Sequence, residues 1–395
     1  MSSVRDIDEL LQRFQREGIP GCALHIAQRG KTIYEGYVGY SDVEQKIPVS
    51  DASLFRLASM SKIPLYTLLM MLYERGLFMM EDPIGRYLPE WKESRKFVKG
   101  PDGELVAVPT ERPITMADVL TMRCGLPYCN SKAPSDDPTV RSMQQCMKPL
   151  WEKGHFTVQE HIAAMSGAVL AFEPGTHWMY GFSSEIAVAL VEKLTDMPID
   201  EAFRRYLFDP LGMGDTRARF FGDAQERMVK LYAWDAERNL IPTTVPFDEK
   251  HLPGEAHETG WARLFSSAKD FSKIMQMLAN GGTYDGVSIM GRKTIDLMRA
   301  NALTASQMEE LYRRDPFSKG YGYGCGVRTL VDQQKAGHNG SLGAFGWTGG
   351  FGTWCEADPQ EGISIVYMHN LMHRLPAEER FQHLRVRNAA YGCVK

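Results

Sequence analysis

Segments rich in strand-forming residues stand at both ends of this chain, and the long stretch between them is helical in pattern. Near the start, Cys22–Ala27 and Thr32–Tyr40 flank the turn Gln28-Arg29-Gly30-Lys31, a hairpin signature. Toward the far end, Cys325–Leu330, Gly350–Glu356 and Ile363–His369 read as strands punctuated by glycine and Asp-Pro. Strands so placed share one core most simply by joining in a single antiparallel sheet assembled from the two ends. Val4, Ile7, Leu10, Leu11 and Phe14 recur at helical spacing before Gly18, and a closing helix is expected over about 376–390.

Between the ends, helical patterns recur at roughly 60–75, 115–123, 157–169, 183–196, 200–207 and 268–280. The expected class is α/β (α+β): one unit over 1–395, with an antiparallel sheet flanked by helices (about 1–60 and 285–395) and a mostly helical lobe (about 61–284). The charged stretch 92–112 and the polar stretch 131–138 read as surface insertions. A chain of 395 residues that is 44% hydrophobic can bury a core of this size.

Forty-five basic against 49 acidic residues leave a net charge of −4 and no basic stripe, so nucleic acid is not an expected partner. The first residues lead into a charged amphipathic segment, and no stretch stays apolar long enough to span a membrane. No membrane partner and a cytoplasmic location are therefore expected. Seven cysteines without a CxxC pair read as reduced thiols. Ten histidines include no H-E-x-x-H, and the pair His369 and His373 lacks a nearby carboxylate and reads as a loop or surface feature. No metal or organic cofactor is expected, and oligomeric state is left open.

Ser59-Met60-Ser61-Lys62 is an S-x-x-K motif, which on a helix puts the hydroxyl and the amine on one face. A lysine held there in a partly dry cleft can take the serine proton. A second match, Ser266-Ser267-Ala268-Lys269, opens a mixed helix and reads as a cap. The first differs in context: an apolar lead-in from Leu54 to Ala58 and a strongly apolar helix from Ile63 to Tyr73 place it at the head of a buried helix.

The words around Ser59 also resemble a known family. Leu54-Phe55-Arg56-Leu57-Ala58-Ser59-Met60-Ser61-Lys62 is similar to the nucleophile segment of class C β-lactamases and the related family VIII-type carboxylesterases and transesterases. Further blocks agree in order: Glu81-Asp82-Pro83-Ile84, then Ile114 to Thr121 with Cys124-Gly125-Leu126-Pro127-Tyr128, then Phe172-Glu173-Pro174-Gly175, and Pro210-Leu211-Gly212-Met213-Gly214. The resemblance spans roughly 20–370 and implies a serine β-lactamase-like fold, with Ser59 as nucleophile and Lys62 as its activating partner.

It also implies a catalytic tyrosine, and Tyr180 occupies that place. A literal Y-x-N occurs at Tyr128-Cys129-Asn130, too early in family order, so Tyr128 is expected only to line the cleft. Phe182 stands where the family's asparagine would hold an amide. Trp347 stands where a lysine would grip a carboxylate, within Trp347-Thr348-Gly349-Gly350. The amides of Ser59 and Gly350 are the expected oxyanion hole, with Gly349 allowing close backbone approach. Phe182, Trp347, Gly349 and His338, in His338-Asn339-Gly340, are expected at the substrate. The implied activity is cleavage or transfer of a small-molecule ester's acyl group through an acyl-serine. The alternatives are a β-lactamase or D-amino-acid peptidase using the same nucleophile, and a non-catalytic binding or sensor protein that keeps the cleft.

Overall fold

The computed structural model describes residues 4–129, 133–245, 248–252, 263–372 and 376–394. Strand Gly21–Gln28 lies between its hairpin partner Lys31–Asp42 and strand Ile363–His369, the latter in a register running from Cys22 opposite His369 to Gln28 opposite Ile363. The two ends of the chain therefore meet in one sheet. Its eight strands run Tyr321–Tyr323, Arg328–Leu330, Phe345–Thr348, Trp354–Asp358, Ile363–His369, Gly21–Gln28, Lys31–Asp42, Ile47–Pro48, with every neighbour antiparallel.

Both faces of the central strands are covered, which is why they read as near-continuous apolar runs. On one face Leu24, Ile26, Ile363, Ile365 and Tyr367 pack with Ile7, Leu11 and Phe14 of the first helix, Val4–Arg16, and with Val386 and Ala390 of the last, Pro376–Tyr391. That last helix is tied down by Arg387, whose Nη2 lies 2.9 Å from a buried Glu356 oxygen. On the other face, Ala23, Cys355, Ala357, Val366 and Met368 belong to the same core as Ala268–Ala279.

Helix Ala268–Ala279 thus lies on the sheet, although its sequence position falls within the stretch expected to form the helical lobe. Gln276 fixes it there, accepting from Gly30 N at 2.9 Å and donating to Ser364 Oγ. Ser267 caps it by accepting from Asp270 N, the role expected of the second S-x-x-K match. The helical region also holds small sheets. The stretch read as an insertion at 92–112 forms the hairpin Arg95–Lys99 and Leu105–Pro109, with Pro101-Asp102-Gly103 at its tip. Helix Pro138–Lys153 lacked a sequence expectation. Asp137 caps it and Pro138 begins it, but Pro149 inside reads as a breaker.

Helix Lys62–Glu74 is the axis of the helical region. Every residue from Lys62 to Leu72 is buried, so the helix is apolar on all sides. Helix Ser183–Thr195 is equally buried through its first nine positions and packs beside it. His369 is fully buried at its strand end beside the Tyr367 hydroxyl, which corrects its expected surface role. His373 lies outside the described residues. Among the described residues no helix is long and apolar enough to cross a membrane.

Candidate active site

Ser59 sits in a single helical turn, Ala58–Ser61, that leads directly into the buried helix. Ala58 is left-handed at φ +46°, a conformation that costs a non-glycine residue on the order of 1 kcal/mol and persists only where surroundings enforce it. Leu57 supplies that enforcement. Its N–H donates to the Leu264 carbonyl at 3.0 Å, and its carbonyl accepts from Thr353 Oγ1 at 3.0 Å.

Lys62 follows one turn later, fully buried, with Nζ 3.4 Å from Ser59 Oγ and 3.0 Å from the Tyr128 hydroxyl. Both phenols of the site gather around this amine. Lys62 Nζ is 4.9 Å from the Tyr180 ring centroid, and the Tyr128 and Tyr180 rings meet edge to face at 5.5 Å. Tyr180 is positioned by backbone pairing: Met179 N donates to the Met122 carbonyl and Phe182 N to the Leu126 carbonyl, each at 2.9 Å. Gly181 between them admits this approach, because a Cβ there would stand 2.2 Å from the Leu126 carbonyl oxygen.

The environment separates the two phenols. Burial pushes Tyr180 up, but the Lys62 charge and hydrogen bonds with Ser59, Lys62 and Trp347 outweigh it, so its pKa falls below the ordinary 10.0. Tyr128 is driven well above that value, by burial first and then by Tyr180 and Glu185. Of the pair, Tyr180 is the one fitted to act as a base and Tyr128 the one kept protonated. Glu185, buried in the first turn of its helix, is raised to about 8 by burial, partly offset by the charges of Lys62 and Arg263. Tyr128→Phe deletes a hydroxyl that accepts from Lys62 at 3.0 Å while keeping the ring contact, so kcat/KM is expected to fall about tenfold with the circular dichroism spectrum unchanged.

Strand Phe345–Thr348 forms the opposite wall. Trp347 donates from Nε1 to the Tyr180 hydroxyl at 3.1 Å, and the two rings lie 5.3 Å apart. Gly349 lets this strand end press against the turn that carries Ser59: a Cβ there would stand 2.1 Å from the Leu57 carbonyl oxygen and 2.2 Å from Thr353 Oγ1. Gly349→Ala must pull the two apart. The expected cost is about 1–3 kcal/mol, read as a lowered thermal unfolding midpoint.

Ser59, Tyr128, Tyr180, Trp347, Gly349 and Gly350 line one cavity of about 290 Å³. Two sequence expectations fail. Phe182 is buried at the head of helix Ser183–Thr195, its ring 4.9 Å from His161, because the turn at Gly181 directs it back into the helical core. His338 follows the short helix Gln333–Ala336, bonds the Tyr321 hydroxyl at 2.6 Å, and does not line the cavity. Burial and the charges of Arg387 and Arg328 hold its pKa down to about 3. Trp178, Leu311, Arg314 and Asp315 also line the cavity. Leu311, Arg314 and Asp315 carried no sequence signal, since only tertiary contact brings the end of helix Ala305–Arg314 to Ser59.

A larger hollow of about 510 Å³ opens beside Arg56 and Asp248, but its lysine, Lys230, is engaged by Asp42 and Glu44 rather than by a hydroxyl. Among the described residues no group of histidine, cysteine and acidic side chains is arranged to hold a metal ion.

The sequence profile described as Beta-lactamase matches residues 7–388. The chain is similar to Esterase EstB of Burkholderia gladioli, with 24% identity over 370 residues, 91% of this chain and 88% of that one. Two solved structures share its fold. EstCE1, a hydrolase with promiscuous acyltransferase activity, superimposes with a TM-score of 0.78 at 24% identity over 98% of this chain and 97% of its own. Simvastatin synthase LovD from Aspergillus terreus superimposes with a TM-score of 0.81 at 19% identity over 99% of both chains. From the family profile together with this likeness of fold, the chain belongs to the beta-lactamase family.

Proposed function

We propose that this protein is a carboxylesterase or transesterase that carries an acyl group on Ser59. Ser59 Oγ attacks the ester carbonyl while its proton passes to the Tyr180 phenolate beside Lys62. The oxyanion is received by the amides of Ser59 and Gly350. The ester C–O bond then breaks, the leaving alkoxide takes the proton from Tyr180, and an acyl-serine remains. Water or an acceptor alcohol, losing its proton to Tyr180, attacks that ester and restores the hydroxyl.

The observation that carries this is Lys62: a fully buried amine within reach of both a serine and a tyrosine hydroxyl. Burying a charged amine costs several kcal/mol unless a function or a partner offsets it. A binding or sensor protein has no use for that arrangement, which counts against the non-catalytic alternative. Ester over lactam is favoured because the position that would hold an amide carries Phe182, turned inward. Seven cysteines with no CxxC pair suggest a reducing interior and so support a cytoplasmic location, which cell fractionation checks.

The test is intact-mass measurement after brief exposure to a nitrophenyl ester. The expected result is a mass increase of one acyl group on the tryptic peptide Leu57–Lys62, assigned to Ser59 rather than Ser61, together with hydrolysis of nitrophenyl esters and little of nitrocefin. An adduct elsewhere, or none with any ester, removes the proposal. Efficient nitrocefin turnover favours the β-lactamase alternative.

A further inference from the structure

The end of helix Ala305–Arg314 forms the rim of the Ser59 cavity, and Arg314 is the one cationic side chain lining it among the described residues. Its Cζ stands 5.9 Å from the Tyr180 ring centroid. An arginine in the last turn of a helix is ordinarily explained by the free carbonyls and the dipole there. Two observations point further.

The carboxylates beside it are committed to other partners. Glu310 accepts from Trp178 N at 2.7 Å and lies 2.6 Å from His177 Nδ1. Asp315 accepts from Ser318 Oγ at 2.8 Å and pairs with Arg328 at 3.3 Å. Arg314 itself is exposed and, among the described residues, has no carboxylate partner, although the Asp315 carboxylate that pairs with Arg328 also lines the cavity. Much of the lining is aromatic, from Trp178, Tyr180, Trp347 and Tyr128, with Leu311 and Thr348 beside them. An occupant matching both features has an apolar body toward Ser59 and an anionic end at the rim.

We infer that Arg314 selects substrates bearing a carboxylate, so that the natural substrate of this site is a small acidic ester. The guanidinium meets a carboxylate through two parallel N–H···O bonds, which fixes the ester's orientation as well as its affinity. A cavity of about 290 Å³ is at the small end for ligand sites and suits a body of one ring or a short chain. The inference rests on the esterase proposal for the identity of the reacting bond, but not for the recognition itself.

Two measurements keep them apart. Calorimetric titration compares 4-phenylbutyrate with its neutral amide, neither of which can acylate Ser59. The wild-type protein is expected to bind the carboxylate at least about tenfold more tightly. Arg314→Gln is expected to abolish the preference and Arg314→Lys to keep part of it, whereas Arg313→Gln, an exposed neighbour off the cavity, retains it in full. Equal affinities, no binding of either probe, or a preference that survives Arg314→Gln overturns the inference. The kcat/KM ratio of mono-nitrophenyl glutarate to nitrophenyl pentanoate is then expected to fall by a similar factor in Arg314→Gln. Carboxylate preference without acylation of Ser59 defeats the esterase proposal alone, and acylation without preference defeats the role of Arg314 alone.

Discussion

Ser59→Ala is expected to lower kcat/KM for nitrophenyl esters by at least about 10⁴-fold and to abolish the acyl adduct, since the variant keeps only the substrate binding and oxyanion contacts that act without a nucleophile. Its fold should survive. The Ser59 hydroxyl accepts a long hydrogen bond from Lys62 at 3.4 Å and also meets Tyr180, whereas the turn itself is held by the backbone and by Ser61, whose Oγ accepts from Leu264 N. Stopped-flow and steady-state kinetics alongside a thermal melt separate the two effects. Retention of activity within tenfold of wild type would mean that another group forms the acyl bond.

Lys62→Met is expected to cost about 10³-fold in kcat/KM, within the range for a group that manages a proton in the transition state. The pH profile gives this prediction a second readout. Burial raises the Tyr180 pKa, the Lys62 charge is the largest influence lowering it, and the net position lies below 10.0. If the phenolate is the active form, wild-type kcat/KM climbs with pH as Tyr180 ionises, below the ordinary tyrosine range. Removing the amine takes away the stabilisation of the phenolate, so the residual activity of Lys62→Met should rise only at higher pH. Methionine fills the buried space without a charge to desolvate, so the melting temperature should hold or increase. A variant with a lowered melting temperature and an unmoved pH limb would show Lys62 to be structural.

The nucleophile segment was legible in the sequence because its chemistry is local: a three-residue spacing puts Ser59 and Lys62 on one helical face whatever surrounds them. Tyr180 was legible only through the order of the family's blocks, since a lone tyrosine carries no such spacing. The hydrogen bond from Lys62 to Tyr128 joins residues 66 apart in sequence, and no local pattern announces it. Phe182 and His338 failed for a related reason. Each stands next to a glycine in a suggestive word, but neighbouring contacts with His161 and Tyr321 decide where the side chains go. Strands Cys22–Ala27 and Ile363–His369 were plain from their apolar runs, whereas Tyr321–Tyr323 is short, glycine-containing and without alternation. Arg314 looks from sequence like any arginine ending an amphipathic helix.

The sheet's closure imposes an order on the protein's birth. Strand Gly21–Gln28 leaves the ribosome early but has one hydrogen-bonding edge open until Ile363–His369 follows, and Thr353, which holds the Leu57 carbonyl, arrives at nearly the same moment. Until those segments are made, the turn that carries Ser59 lacks the bond from Thr353, and an apolar strand edge stays open to aggregation or to chaperones. Premature termination anywhere before that late strand removes the sheet and the chemistry together.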